Sequence, residues 1–209
     1  MGLEALLSSQ IIGLSEAIDD RTSSLLVAGT GITLTYNDGA GTLTIAATAS
    51  GGSKTYAVFT ALNNQPPSTG FATLDTRNSI AVLDFGDTGT ASAVFLGVMP
   101  EGASLGSGLI ISLRWMATSA TSGNVRWSVA LERCNTDLDS DSFDTSVEAT
   151  ATTNGTSGVP TTTNITITTI DGITAGELFR VRIQRLGADA ADTMSGDAEL
   201  IAVEIRSAA

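Results

Sequence analysis

From residue 56 to residue 206 the chain is a succession of short segments in which apolar residues fall on every second position, with Gly, Ser, Thr, Asn and Asp between them. A period of two sends successive side chains to opposite faces of a strand, so each segment buries one face only by packing against another sheet. Ten segments read as strands: 56–60, 71–75, 80–85, 93–98, 109–117, 125–133, 143–152, 164–170, 178–185 and 200–206. No helical period interrupts them. The expectation is a mainly β chain whose residues 55–209 form a jelly-roll-like β-sandwich. Four segments commit clearly to one face: Leu109, Ile111, Leu113 and Trp115; Val125, Trp127, Val129 and Leu131; Phe179, Val181 and Ile183; Ile201, Val203 and Ile205. Both tryptophans stand on that register, so they are expected in the core and not as platforms for a sugar ring.

Upstream the pattern changes. Within residues 1–24, Leu7, Ile11, Leu14 and Ile18 are spaced by four, three and four, the a/d seam of a short, coiled-coil-like N-terminal α-helix. The seam covers about two heptads and contains Gly13, so the helix is marginal alone and needs copies of itself or a socket in a larger assembly. Residues 25–50 read as a β-hairpin, with Ile32, Leu34 and Tyr36 alternating against Thr, then a turn at 37–41, then Leu43 and Ile45. A lone hairpin does not hold its apolar face away from water, and threefold self-association would cover it. Leu7, Ile11, Leu14, Ile18, Ile32, Leu34, Leu43 and Ile45 are therefore the expected oligomer interface. The Gly- and Ser-rich stretch around residues 51–54 reads as a linker to the sandwich.

The residue types present narrow the chemistry. The chain has no histidine and one cysteine, Cys134, which removes Ser-His-Asp and Cys-His catalysis and imidazole metal sites. No nucleophile elbow, phosphate-binding loop or dinucleotide fingerprint occurs among its 22 glycines, so neither a catalytic residue nor a cofactor is assigned. A net charge of −12 argues against nucleic acid as partner. No apolar run is long enough to cross a bilayer, so membrane insertion is not expected, and the N-terminus lacks the pattern of a signal peptide. Arg114, Arg126, Arg180, Arg182 and Arg206 fall on the register opposite the apolar one and are expected to point outward toward scattered acids.

Two acidic features invite inspection. In "NTDLDSDSFD", Asp137, Asp139 and Asp141 match positions 1, 3 and 5 of a calcium-binding loop, with Glu148 at position 12, but Ser142 stands where that loop needs glycine and strands flank it instead of helices. An acidic, solvated loop is the favoured reading, since Asp and Ser also stabilise turns locally. Asp75, Asp84 and Asp87 lie near the ends of early strands, where surface solvation explains them, and a glycosidase-like carboxylate pair would have to be assembled in space. Loops 65–70, 135–142 and 154–162 are the expected recognition surface of a rigid sandwich.

The stretch "AGTGITLTYNDGAGTLTIA" (residues 28–46) resembles a hairpin module of bacteriophage tail fibres and related virion proteins. "FATLDTRNSIAVLDF", "MATSATSGNVRW", "DSDSF" and "DTMSGDAELIAVEIR" are similar to a domain found in many phage structural proteins. The resemblance implies a noncatalytic, homotrimeric tail fibre in the virion, attached to other phage proteins through its N-terminal zone and presenting the sandwich to a host-surface glycan or protein. A capsid decoration or cement protein and a polysaccharide-degrading tail spike are the alternatives. Isoleucine at a with leucine at d favours two strands in a parallel coiled coil, so the trimer rests on the resemblance and not on the seam.

Overall fold

The computed structural model describes residues 14, 17–47, 52–135 and 137–208, and the chain divides into two compact units, residues 1–52 and 53–209. Leu7 and Ile11 of the expected seam lie outside the described residues. In the first unit residues 17–25 form a helix, and two strands, β1 (Ile32–Asn37) and β2 (Thr42–Ala47), pair antiparallel. Their turn is a single 3-10 turn in which the Asn37 side chain accepts the Ala40 amide at 3.2 Å, and Gly41 closes it at φ 59°. That left-handed conformation is one glycine adopts without a Cβ penalty. Leu34 faces Ile45 and Tyr36 faces Leu43 across the ladder, so the apolar residues share one face. Within one chain that face is only partly covered: Leu34, Tyr36 and Leu43 are half-buried and Ile45 is 63% exposed, while Leu14 and Ile18 of the upstream segment are each more than half exposed.

In the second unit the described residues form ten strands: β3 (Thr55–Thr60), β4 (Thr73–Arg77), β5 (Ile80–Phe85), β6 (Thr90–Val98), β7 (Leu109–Ala117), β8 (Asn124–Arg133), β9 (Val147–Thr152), β10 (Thr161–Ile167), β11 (Leu178–Leu186) and β12 (Ala198–Ser207). They make a jelly-roll-like sandwich of two antiparallel sheets. One sheet has six strands in the order β10-β7-β12-β5-β4, and β3 joins it on the same flank of β12 as β5. β5 pairs with residues 198–200 and β3 with residues 202–206. The other sheet is β6-β11-β8-β9. The free edge of β6 is closed by the start of the proline-bearing loop, where the Gln65 amide donates to the Val94 carbonyl and the Asn64 side chain accepts the Val94 amide. An unpaired edge would otherwise template pairing with another chain.

Both tryptophans are fully buried, as expected. Trp115 and Trp127 meet edge-on at 5.7 Å, and Phe85 continues the row 5.2 Å from Trp127. The Trp115 indole satisfies its N–H on Thr163 Oγ1 at 2.9 Å. At the other end Phe59 stacks on Phe95 and meets Phe179 edge-on. Aromatic pairs in these geometries add to the burial of their large apolar areas.

The sandwich departs from the expected pattern in five places. Ile201 is not core: the ladder with β7 shifts between Leu200 and Ala202, and the resulting bulge puts Ala198 and Leu200 on the inward side while Ile201 turns out. The segment 143–152 is strand only from Val147, and Phe143 lies instead under two guanidinium groups, 5.3 Å from Arg180 and 4.5 Å from Arg182. β4 starts at Thr73, with Phe71 making an isolated bridge to Ser92, and β10 runs from Thr161 to Ile167. Arg185 sits in the apolar register of β11, fully buried.

Candidate functional site: the open face of the six-stranded sheet

Strand pairing decides which side chains share a surface. On the outer face of the six-stranded sheet, Thr162 and Asn164 of β10 stand opposite Arg114 and Ser112 of β7, which stand opposite Ala202 and Glu204 of β12. Arg206 of β12 and Thr55 of β3 extend the row. All occupy alternate positions, so the inward partners Leu113, Thr163, Ile205 and Val203 hold the backbone in the core while the polar set lies on the other side of the sheet, with Ser112 buried at the floor of that surface.

All of these outer-face side chains but Ala202 line a trough of about 490 Å³ together with Ser53. They hydrogen-bond across the strands: Ser112 Oγ to Asn164 Oδ1 at 2.7 Å, Arg114 Nη1 to Thr162 Oγ1 at 2.7 Å and Thr55 Oγ1 to Glu204 Oε1 at 2.7 Å. Arg114 Nη2 approaches Glu204 Oε2 at 3.6 Å. The Arg206 contacts are long, 3.3 Å to Ser112 and 3.4 Å to Ser53. The result is a rank of donors and acceptors fixed by the sheet.

The opposite end of the same face is acidic. Glu199 of β12 pairs across the ladder with Asp84 of β5, and Asp84 lies within electrostatic reach of Asp75 and Asp197. Surface solvation, the expectation for Asp84, does not describe it: burial, then the Glu199, Asp75 and Asp197 charges, push its carboxyl up to about 6. Glu199 is itself buried and occupied, by Arg77 Nη1 at 2.9 Å and Thr118 Oγ1 at 3.1 Å. Asp87 accepts the Gly196 amide at 2.7 Å, which lowers its carboxyl, and Asp75 remains exposed.

The expected outward arginines do point outward, and the described residues give Arg114, Arg126 and Arg180 acidic partners in Glu204, Glu148 and Glu132. Arg182 faces outward over Phe143, and desolvation lowers its pKa. Glu148 spends its carboxylate on Arg126 at 2.7 Å from within β9, so it does not close a calcium loop with Asp137, Asp139 and Asp141. Asp137 instead caps its own turn, accepting the Asp139 amide on Oδ1 at 3.1 Å and the Ser140 amide on its carbonyl. Among the described residues no three acidic, histidine or cysteine side chains converge to hold a metal ion. Nearby, Arg133 and then the Thr174 amide hold the Glu177 carboxyl down to about 2.

Of the three loops expected to carry recognition, 65–70 closes the β6 edge, 135–142 is turned on its own backbone, and only Thr162 of the third reaches the trough. Arg114 and Arg206 were visible in sequence as outward residues. Ser112, Asn164, Thr55 and Glu204 were not singled out, because their convergence depends on a strand order that sequence neighbours do not report. For the interface residues Ile32, Leu34, Leu43 and Ile45, the hairpin register places all four on one face.

No family model matches the chain, and no curated protein matches it. Solved structures with a similar course of chain include an exo-β-1,3-galactanase from Phanerochaete chrysosporium with galactose, at TM-score 0.44 and 15% identity over 82% of this chain and 32% of that one. An arabinose-bound α-L-arabinofuranosidase is similar at TM-score 0.42 and 14% identity, covering 68% of this chain and 23% of that one. A family 11 carbohydrate-binding module from Clostridium thermocellum, in complex with a mixed-linked tetrasaccharide, is similar at TM-score 0.38 and 10% identity, covering 85% and 96%. The chain thus spans less than a third of the length of the two enzymes.

Proposed function

We propose that this chain is a noncatalytic structural component of a bacteriophage virion, a homotrimeric fibre whose residues 1–52 assemble and attach and whose sandwich is displayed toward the host surface. The observation that carries this reading is the contrast between the two units. The sandwich buries a continuous core, with Trp115, Trp127, Phe85 and Phe179 at or near zero exposure. The sandwich exposes apolar side chains as well, Leu62 at 72% and Phe71 at 52% among them, but around that core; none of the described residues of the first unit is buried, and it leaves Leu14 61%, Ile18 54% and Ile45 63% exposed, an apolar surface that a helix and a two-stranded hairpin cannot cover by themselves. A self-sufficient unit joined to one that requires partners is the division of labour of a fibre. The charge of −12 keeps many displayed copies apart in solution.

Gold-labelled antibody raised against the sandwich tests this on particles purified from cultures that produce the chain. Label on fibres projecting from the tail is the expected result. Label over the head favours the decoration or cement reading, and absence from the particle contradicts both.

A second reading, a spike that degrades polysaccharide, draws on the Asp84–Glu199 pair, in which the Asp84 carboxyl is raised to about 6 beside a second carboxyl group. The grip of Arg77 and Thr118 on Glu199 weighs against it, since a nucleophile or base held that way is not free to act. Release of new reducing ends from host polysaccharide by the purified chain, abolished by Asp84→Asn, would establish this reading.

A further inference from the structure

We propose that the trough on the six-stranded sheet is a binding site for a carboxylate-bearing saccharide, with Arg206 taking the carboxylate and the Asn164, Thr162 and Glu204 rank taking ring hydroxyls, while the buried Ser112 holds Asn164 in place from beneath. The inference rests on the reading of the sandwich as the host-facing unit and names the ligand class of that unit.

Three features of the trough point the same way. First, its charges invert those of the chain: Arg114 and Arg206 face a single carboxylate, Glu204, in a protein of net charge −12. A locally positive cleft in an acidic protein concentrates anions there and nowhere adjacent, since the other end of the same face carries Asp75, Asp84 and Glu199.

Second, Arg206 has unused capacity. No carboxylate lies within ion-pair distance of it among the described residues, and its hydrogen bonds to Ser112 and Ser53 are long and end on hydroxyls, at 3.3 and 3.4 Å. By contrast Arg77, Arg126, Arg133, Arg180 and Arg185 each hold an acid directly. A guanidinium presents its N–H donors as a planar fork that fits a carboxylate in a two-pronged contact. Arg114 is the second donor, half exposed and only loosely held by Glu204 at 3.6 Å.

Third, the surroundings suit hydroxyls more than a bare inorganic anion. Amide, hydroxyl and carboxylate groups alternate across β10, β7, β12 and β3 with the strand spacing, a patch roughly 14 Å across the strands and 7 Å along them. Each sugar hydroxyl both donates and accepts, and this rank supplies both partners. The inward residues beneath it are fully packed, so the donors are held in place before a ligand arrives.

The test uses the full chain with sialyllactose and tetragalacturonate as acidic probes, and lactose and methyl-esterified tetragalacturonate as their neutral counterparts, followed by saturation-transfer NMR and titration calorimetry. At least one acidic probe is expected to bind with millimolar or better affinity and about tenfold or more tighter than its neutral counterpart. Arg206→Gln is expected to erase that difference, and Asn164→Ala to weaken acidic and neutral binding alike. Thr150→Ala, on the other sheet, is expected to change neither, and unfolding temperatures of the variants confirm that each is folded. Equal affinity for acid and neutral forms, full binding by Arg206→Gln, displacement of the probe by inorganic phosphate at equal concentration, or no binding by either acidic probe would each overturn the proposal. A trimeric chain that binds no acidic saccharide removes this inference and leaves the fibre reading standing; a monomeric chain that binds one does the reverse.

Discussion

Arg185 and Asp192 meet at 2.8 Å inside the sandwich, with side chains 0% and 1% exposed. All five guanidinium N–H groups are engaged: Nε with Asp192 Oδ2, Nη2 with Asp192 Oδ1 and the Met194 carbonyl, and Nη1 with the carbonyls of Phe85 and Gly196. Asp192 Oδ2 also accepts the Arg126 amide. The pair ties the end of β5 and the start of β8 to the connection between β11 and β12. Each of its donors finds an acceptor inside the protein, which is how an arginine can occupy a register that elsewhere in β11 holds Phe179, Val181 and Ile183.

Removing one partner leaves a buried charge uncompensated. Asp192→Asn or Arg185→Leu is expected to cost about 3–5 kcal/mol and to lower the unfolding temperature by roughly 10 °C. The double replacement Arg185→Met with Asp192→Ala is not expected to restore stability, because the carbonyls of Phe85, Met194 and Gly196 still lose their donors. Thermal and denaturant unfolding measure this; a loss under about 1 kcal/mol for either single variant contradicts the clamp.

Gly97 in β6 is required by close packing and not by its backbone angles. A Cβ placed there would lie 2.9 Å from both the Phe59 and Phe179 rings, which sit edge-on to one another in the core. Gly97→Ala is expected to destabilise by about 1–3 kcal/mol through overpacking, whereas Gly155→Ala, with open space around it, is expected to change little. Equal unfolding midpoints for the two variants would show that the rings relax freely.

Asp84 gives a pH signature of its own. Its folded carboxyl titrates at about 6 against an ordinary value of 3.8, so the native state holds the proton more tightly than the unfolded chain. Its unfavourable contribution is therefore absent below about pH 4, grows as pH rises to 6, and is complete above that. Asp84→Asn is expected to stabilise the protein by about 1 kcal/mol at pH 7.5, after allowance for partial solvent screening, with the gain gone at pH 4. Denaturant unfolding at the two pH values checks it, and a gain equal at both would assign the effect to something other than this titration.

Much of this architecture was legible in the chain because strict alternation leaves few choices: the registers of Leu109–Ala117 and Asn124–Arg133 put Trp115 and Trp127 inward, and both are buried. Alternation misleads where apolar residues adjoin. Leu200 and Ile201 stand side by side, and a period of two counted back from Ile205 selects Ile201, whereas the bulge selects Leu200. Phe143 reads as the start of a strand because aromatic residues favour sheets, yet its ring is claimed by Arg180 and Arg182. Arg185 is the reverse case, in which residue type says outward and register says inward, and register wins because every donor finds an acceptor. The trough is the least legible feature. Thr55, Ser112, Asn164 and Arg206 are brought together by the order β10-β7-β12-β3, and nothing local in the sequence encodes that order.

The most direct test of the central claim, that assembly resides in the first unit and the sandwich stands alone, is the solution mass by light scattering of the full chain beside a chain starting at Lys54. The expected result is a trimer for the full chain and a folded monomer for the shorter one. A full-length monomer would contradict the claim outright, and a trimer of the shorter chain would move the seam into the sandwich.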